Sequence, residues 1–392
     1  MPRVPQEIVD QIIDEVHDDI KTLGACALTS LDWVPRCRQH QHKSLTIGVT
    51  FPPRHHSHIL FFLKYPHLSH YVRSLNIFST MDNLGRWPVD FPDTTSLQIM
   101  FMTWNVQRQG ARDHILTQLP LITTLTLAGV EFDDFYCFTT LLTAFPLLSD
   151  LTLGSIRVKD RIVQVHAPYG KLGFALKHLN LRDLDVPTTG LIQWLQSQPT
   201  SPRIDSLSMT LDGKKLFYHS APQQWCTVAG NSLSHLHFDF GWVLVDQDLR
   251  NGSIDLRHNA RMRTLEVKTI GLGRFSLSDH EWIPLMLHRL PSSDNLRRIT
   301  LHIHFYELNQ LDSQGLSRID EALGGCNPDT KYWVTEWRKG LESVEIVLWY
   351  NRKSLPDIAP IIQVIQERMP RAAMNGALKC YRGAEYQAVY GL

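Results

Sequence analysis

Among residue types able to do chemistry, histidine is the most conspicuous here: the chain holds 19, and three groups are closely spaced, His55-His56-x-His58, His235/His237 and His302/His304. Imidazole is a common zinc ligand, and residues i and i+2 of a strand share a face. No third ligand stands at a recognisable spacing from any of the three. The first group therefore reads as a solvated helix start or loop and the two pairs as an exposed sheet face. The six cysteines (Cys26, Cys37, Cys137, Cys226, Cys326, Cys380) lie far apart with no Cys-x-x-Cys, which predicts neither a zinc site nor a secreted disulfide framework and fits a reducing compartment. Cys326 follows Gly324-Gly325 with no nearby histidine to activate its thiol. There is no Gly-x-Ser-x-Gly elbow, Walker loop, dinucleotide glycine fingerprint or His-Glu-x-x-His helix. The expectation is a non-enzyme with no catalytic residue, metal or cofactor; the rival from another class is a hydrolase or metal enzyme that uses the histidines.

Charge narrows the partners. Lys plus Arg equals Asp plus Glu at 39 each in 392 residues, so no global field draws the chain to nucleic acid or an anionic membrane, and neither is expected as a partner. The longest greasy run, Phe135 to Leu148, is broken by Thr139, Thr140, Thr143 and Pro146 and falls short of the ~20 residues of a membrane span. The N-terminus shows no signal-peptide stretch, so a cytoplasmic or nuclear protein is expected, with Asn251-Gly252 as a turn and not a used glycosylation site.

The elements that must position these side chains repeat along the chain. Apolar-x-apolar pairs recur at Leu75/Ile77, Leu97/Ile99, Leu125/Leu127, Leu151/Leu153, Leu179/Leu181, Leu207/Met209, Leu236/Phe238, Leu265/Val267, Ile299/Leu301 and Val344/Ile346. Their spacings are 22, 28, 26, 28, 28, 29, 29, 34 and 45 residues. Between pairs the pattern turns helical, clearest at Phe135, Phe138, Leu142, Phe145 and at Ile358, Ile361, Ile362, Ile365, Met369. Pro66, Pro120, Pro146, Pro199, Pro291 and Pro370 fall where such runs stop. Each unit reads strand, loop, helix, proline. Stacked, such units make a parallel curved sheet with outer helices, because no single repeat buries its own apolar face.

This resembles the leucine-rich-repeat class in period and Leu-x-Leu core, without a regular Asn or Cys ladder. The fold class predicted is α/β, an irregular solenoid over 46–392, with the long last gaps around Trp282, Trp333 and Trp337 as insertions or a cap and the tail after Pro370 closing the end. Residues between and beside the paired apolar ones form the concave polar face, and those expected to meet a target are His178, Asn180, Arg182, His235, His237, Asp239, Glu266, Lys268, His302 and His304. Thr300, Ser343 and Glu345 belong to the same face.

The first 45 residues read differently. Ile8, Ile12 and Val16, with Val9 and Ile13, form one broad helical stripe after Pro5; Asp18 or Asp19 caps a second helix with Ile20, Leu23, Ala27 and Leu28; a third segment follows around Trp33 and Pro35. Three short helices are too few for a self-sufficient core. Val4-Pro5-Gln6-Glu7-Ile8 resembles the Leu-Pro-x-Glu opening of the F-box, and Cys26-Ala27-Leu28-Thr29-Ser30-Leu31-Asp32-Trp33 is similar to its Leu-Ala-Leu-Val-Cys-Lys-Arg-Trp stretch. Arg36, Arg38 and His40 are similar to the closing segment of F-box-like domains in mushroom-forming fungi. Val4, Thr29, Ser30 and Asp32 depart from the pattern. The resemblance implies a module over 1–45 in which Val4, Pro5, Ile8, Leu23, Leu28 and Trp33 form or support a surface for a Skp-type adaptor and its cullin ligase core. The solenoid would then select an unknown target for ubiquitination. The alternative is a non-ligase repeat scaffold with the head as a structural cap.

Overall fold

The structure, a computed structural model, describes residues 4–48, 56–78, 89–104, 115–159, 175–182, 188–198, 202–210, 221–239, 254–271, 282–291, 294–305, 313–324, 340–350 and 358–383. The chain divides into two compact units, Met1–Leu176 and Lys177–Leu392.

The first unit opens with three helices, α1 (Gln6–Glu15), α2 (Ile20–Thr29) and α3 (Val34–Gln41), with a 3-10 turn at Leu31–Trp33. Asp19 is the aspartate that caps: its carboxylate accepts from the backbone N–H of Lys21 and Thr22 at 3.0 and 3.1 Å. Pro35 sits within the first turn of α3, where its missing N–H costs no helical bond. Val9, Ile13, Leu23 and Cys37 make a small core, with Val16, Cys26, Ala27 and Trp33 packed beside it.

Strand β1 (Ser44–Gly48) follows immediately, then α4 (His56–Lys64), β2 (Ser74–Phe78), β3 (Ser96–Met100), a short β4 (Thr103–Trp104), β5 (Thr124–Ala128), a short β6 (Glu131–Phe132), α5 (Phe135–Thr143), β7 (Asp150–Gly154) and a short β8 (Arg157–Val158). The five long strands pair in parallel in the order β1-β2-β3-β5-β7, with Leu45, Leu75, Leu97, Leu125 and Leu151 in one register row. The short strands make their own parallel set, β4-β6-β8. Between the two sets the chain turns through a left-handed residue at Phe101 (φ 52°), Gly129 (φ 64°) and Ser155 (φ 49°). Only glycine fits the middle one easily, since a Cβ on Gly129 would also lie 2.8 Å from the Phe101 ring. In α5, Phe135, Phe138 and Leu142 are buried, and Phe138 meets Phe132 edge-on at 5.2 Å.

In the second unit β9 (His178–Arg182), β10 (Ser206–Thr210), β11 (His235–Asp239), β12 (Thr264–Gly271), β13 (Arg298–Phe305), β14 (Ser343–Tyr350) and β15 (Leu378–Arg382) pair in parallel in chain order. Helices α6 (Thr188–Gln196), α7 (Ala221–Ala229), α8 (Trp282–His288), α9 (Ser313–Leu323) and α10 (Ala359–Arg368) lie between strands in sequence. Two pairs, α6 with α7 and α8 with α9, pack side by side, as does α9 with α10.

All ten expected apolar pairs lie on strands and none of their members is more than 3% exposed. Backbone hydrogen bonds repeat with them. Thr95 O accepts from the N–H of Thr123 and Thr124, and Thr123 O from Ser149 and Asp150. Asp205 O does the same for Ser234 and His235, and Ser234 O for Arg263 and Thr264. One carbonyl before a strand thus anchors the start of the next, which makes the unit a leucine-rich-repeat-like α/β repeat.

One expectation needs correcting, and two gain detail. The boundary at 45/46 falls inside β1, whose Leu45/Ile47 pair is a further repeat unit and is buried. The tail after Pro370 supplies another parallel strand, β15, beside β14. Pro370 itself opens a short helix, α11 (Pro370–Met374), because buried Asp320 of α9 accepts from the N–H of Arg371 and Ala372 at 3.2 and 3.0 Å and so caps that helix.

Candidate protein-interaction sites

The head exposes what it would be expected to hide. On α1, Val9 and Ile13 point inward, while Ile8 and Ile12, one turn apart beside them, are 46% and 58% exposed. Leu28 at the end of α2 and Leu31 after it are 90% and 88% exposed. Val4 and Ile20 are exposed as well. Of the expected adaptor residues, then, Val4, Pro5, Ile8 and Leu28 lie on the surface, Trp33 is half-buried and Leu23 is fully buried beneath them. Ile12, Ile20 and Leu31 were missing from that set, although the same spacing argument reaches Ile12 and Ile20.

Asp14 of α1 fixes this arrangement. Arg36 of α3 donates to both carboxylate oxygens, with Nε–H to Oδ1 at 2.6 Å, and His40 Nε2 lies 2.7 Å from Oδ1. These contacts, Arg36 first and His40 second, hold the Asp14 carboxyl at about 2. Arg36 and His40, read from sequence as part of a family signature, thus hold α1 and α3 together. An open cleft of about 560 Å³ lies among Gln6, Asp10, Leu31, Asp32, Arg36 and Tyr71. His42, at the end of α3, packs on Phe61 and Phe62 at 5.5 and 5.9 Å, and burial lowers its pKa.

On the sheet of the second unit the polar residues alternate with the buried pairs as expected, but the face is not uniform. His178, Arg182 and His235 are exposed; Asn180, His237, Asp239, Glu266, Lys268 and His304 are half-buried. His302 is 2% exposed, Glu345 1%, Thr300 3% and Ser343 5%. These four were expected on an open binding face and are instead inside the protein.

A hydrogen-bonded chain explains how they tolerate burial. Trp349 Nε1–H donates to His302 Nδ1 at 3.1 Å, which leaves Nε2 as the protonated nitrogen, and that N–H donates to Glu266 Oε1 at 2.9 Å. Thr300 donates to Glu345 at 3.2 Å. His304 stacks on Trp349 at 5.5 Å with rings 6° from parallel, and Gly383 leaves room that any side chain would take from the Trp349 ring. Burial alone would raise the Glu266 carboxyl; the His302 hydrogen bond, with His237 and Lys268 nearby, outweighs it and holds the group at about 2. Burial pushes His237 down and His304 down to about 4. Both His302 nitrogens are engaged, so its ring is not poised as a general base.

Among the described residues no group of three His, Cys, Asp or Glu side chains is placed to hold a metal ion. Cys26, Cys37, Cys226 and Cys380 are free thiols, and burial raises Cys226 to about 12. No described helix is long and apolar enough to cross a membrane. Trp282 is buried in α8. His55, Cys326, Trp333, Trp337, Asn251 and the side chains of His56 and His58 lie outside the described residues.

No protein-family model matches the sequence, and no curated protein matches it. Among solved structures, the chain is similar to the leucine-rich repeat-containing protein LegL7 from Legionella pneumophila, with 15% identity, a TM-score of 0.44 and coverage of 84% of this chain and 98% of that one. It is also similar to an internalin (inlF) from Listeria monocytogenes, with 10% identity, a TM-score of 0.25 and coverage of 82% and 92%. At these values neither likeness bears on function.

Proposed function

We propose that this chain is a non-enzymatic protein-interaction receptor: the head docks on a Skp-type adaptor of a cullin ubiquitin ligase, and the repeat displays a polar sheet face to a target protein. The chain itself makes and breaks no bond in this reading. One observation carries it. A head whose own core is four side chains leaves Ile8, Ile12, Leu28 and Leu31 in water, and covering them would gain ~25 cal/mol per Å² of apolar area. An interface of about 1,600 Å² would be ordinary for such a pairing. The residue pattern similar to the F-box selects the adaptor among possible partners.

Co-expression with the Skp adaptor is expected to give a complex that survives size exclusion at micromolar concentration, and Pro5→Ala with Ile8→Asp to abolish it. A purified pair that elutes apart argues against the ligase reading.

The second reading, a scaffold whose head is only a cap, has support from the His42 contact with Phe61 and Phe62 and from the Lys43 carbonyl, which accepts from the N–H of Arg73 and Ser74. Deleting residues 1–42 separates the two. The docking role predicts a repeat that stays folded and loses only the adaptor; the cap role predicts lost stability or solubility.

A further inference from the structure

The edge at which the strands of the second unit begin carries a series of unpaired cations. Lys177 stands just before β9, Arg203 three residues before β10, and Arg261 and Arg263 three and one before β12. Because these strands are parallel, all four residues lie along one edge, and β9 to β12 covers three strand spacings, roughly 14–15 Å. All four are exposed, and none of their side chains has a hydrogen-bond or ion-pair partner among the described residues. Carboxylates on the same edge are occupied: Asp205 accepts from the Ser234 hydroxyl, Asp255 from Arg257 at 3.0 Å and Glu342 from Arg297 at 3.0 Å. With only Asp294 exposed to set against the four cations, the edge is positive although the whole chain balances.

The repeat does not use these cations to stack. Just before a strand the main-chain carbonyl does that work: Lys177 O accepts from the N–H of Asp205 and Ser206, and Arg263 O from Arg297 and Arg298. In the first unit the same position holds Thr95, Thr123 and Ser149, whose hydroxyls turn back onto the carbonyl of the preceding repeat at 3.4, 3.3 and 3.3 Å. Three residues before the strand, the first unit has Leu121 and Leu147 where the second has Arg203 and Arg261. The cations are therefore a property of the second unit's edge and not of the repeat.

We propose that this edge docks an acidic segment of a protein partner, whose Asp and Glu side chains pair with Lys177, Arg203, Arg261 and Arg263. Three of the four cations are arginine, and a guanidinium takes a carboxylate through two parallel N–H donors. The same edge is a poor track for nucleic acid. A phosphate at every nucleotide would fall against Asp205, Asp255, Asp294 and Glu342 as well, whereas a protein segment can set carboxylates only where a cation stands free. The inference rests on the reading of the repeat as a partner-binding surface and is independent of the head.

Fluorescence anisotropy with the full-length protein tests this, using a labelled peptide of alternating Glu and Gly, its Lys-for-Glu counterpart and oligo(dT), at about 50 mM and about 300 mM salt. The Glu peptide is expected to bind at the lower salt and more weakly at the higher, the Lys peptide not to bind, and oligo(dT) to bind less tightly than the Glu peptide. Arg261→Glu with Arg263→Glu weakens the Glu peptide about tenfold or more. Lys21→Glu with Lys64→Glu, an equal change of net charge at exposed positions of the first unit, leaves it within about twofold. Where the double reversal lowers the melting temperature, Arg261→Gln with Arg263→Gln against wild type decides, and weaker binding is again the expected result. No binding of the Glu peptide, equal binding by the edge and control variants, or tighter binding of oligo(dT) overturns the assignment. If the adaptor still binds while the Glu peptide does not, only the edge assignment falls; if neither binds, the receptor reading falls with it.

Discussion

The head and the β13–β14 region of the second unit invert the usual distribution of side chains in opposite directions. In the head, leucines and isoleucines stand in water, Leu28 at 90% and Leu31 at 88%. Around β13 and β14, a histidine, a glutamate and a threonine lie inside, none above 3%. The first inversion is uncompensated among the described residues and is what the proposed docking surface is drawn from. The second is compensated bond by bond, His302 through Trp349 and Glu266, and Glu345 through Thr300, and marks a part of the frame. A buried polar residue that is satisfied holds structure together; an exposed apolar one that nothing covers is open to a partner.

Substitutions can break or sharpen that contrast. The largest effect is expected at Leu23, the fully buried centre of the head: Leu23→Ala should cost roughly 2–5 kcal/mol of head stability, seen as early loss of helical signal in a denaturant melt. His302→Ala should cost about 2–3 kcal/mol, because it strands the Trp349 N–H and leaves a half-buried Glu266 carboxylate with a poorer partner. An equal melting midpoint for that variant would show that the network is not part of the frame.

Acid should act on the same region. An unfolded histidine takes its proton near 6.5, whereas native His304 declines it until about 4 and His237 is also held low. Stability is therefore full above 6.5 and falls as pH drops from there toward 4. Glu266 adds a further loss between 4.5 and about 2. Allowing for solvent access, the His304 share is about 1 kcal/mol, and His304→Phe should flatten the melting-temperature slope between pH 6.5 and 4. The smallest change is expected for Leu28→Ser: within about 0.5 kcal/mol in stability, yet weaker adaptor binding. A large stability loss there would show Leu28 to be structural.

Much of the frame was legible because it is local. Alternation along a strand and its return near 28 residues put all ten pairs inside, and the helix at Phe135–Thr143 shows in four aromatic and leucine positions. What escaped depends on distant partners. Glu266 stands 36 residues before His302 and Trp349 stands 47 after it, so nothing near His302 shows that it is enclosed. In the same way, Asp14 meets Arg36 and His40 only once α1 and α3 pack, and the broad stripe of α1 does not reveal that Val9 and Ile13 turn inward while Ile8 and Ile12 stay out. Leu45/Ile47 was hidden by its place at the join between head and repeat.

Amide hydrogen exchange of the full-length protein, with and without the Skp adaptor, tests the central claim most directly. Slowed exchange over Gln6–Glu15 and Leu31–Trp33 on addition of the adaptor, with the strands of the second unit unchanged, is the predicted result. Unchanged exchange throughout the head, or protection confined to the repeat, would contradict it.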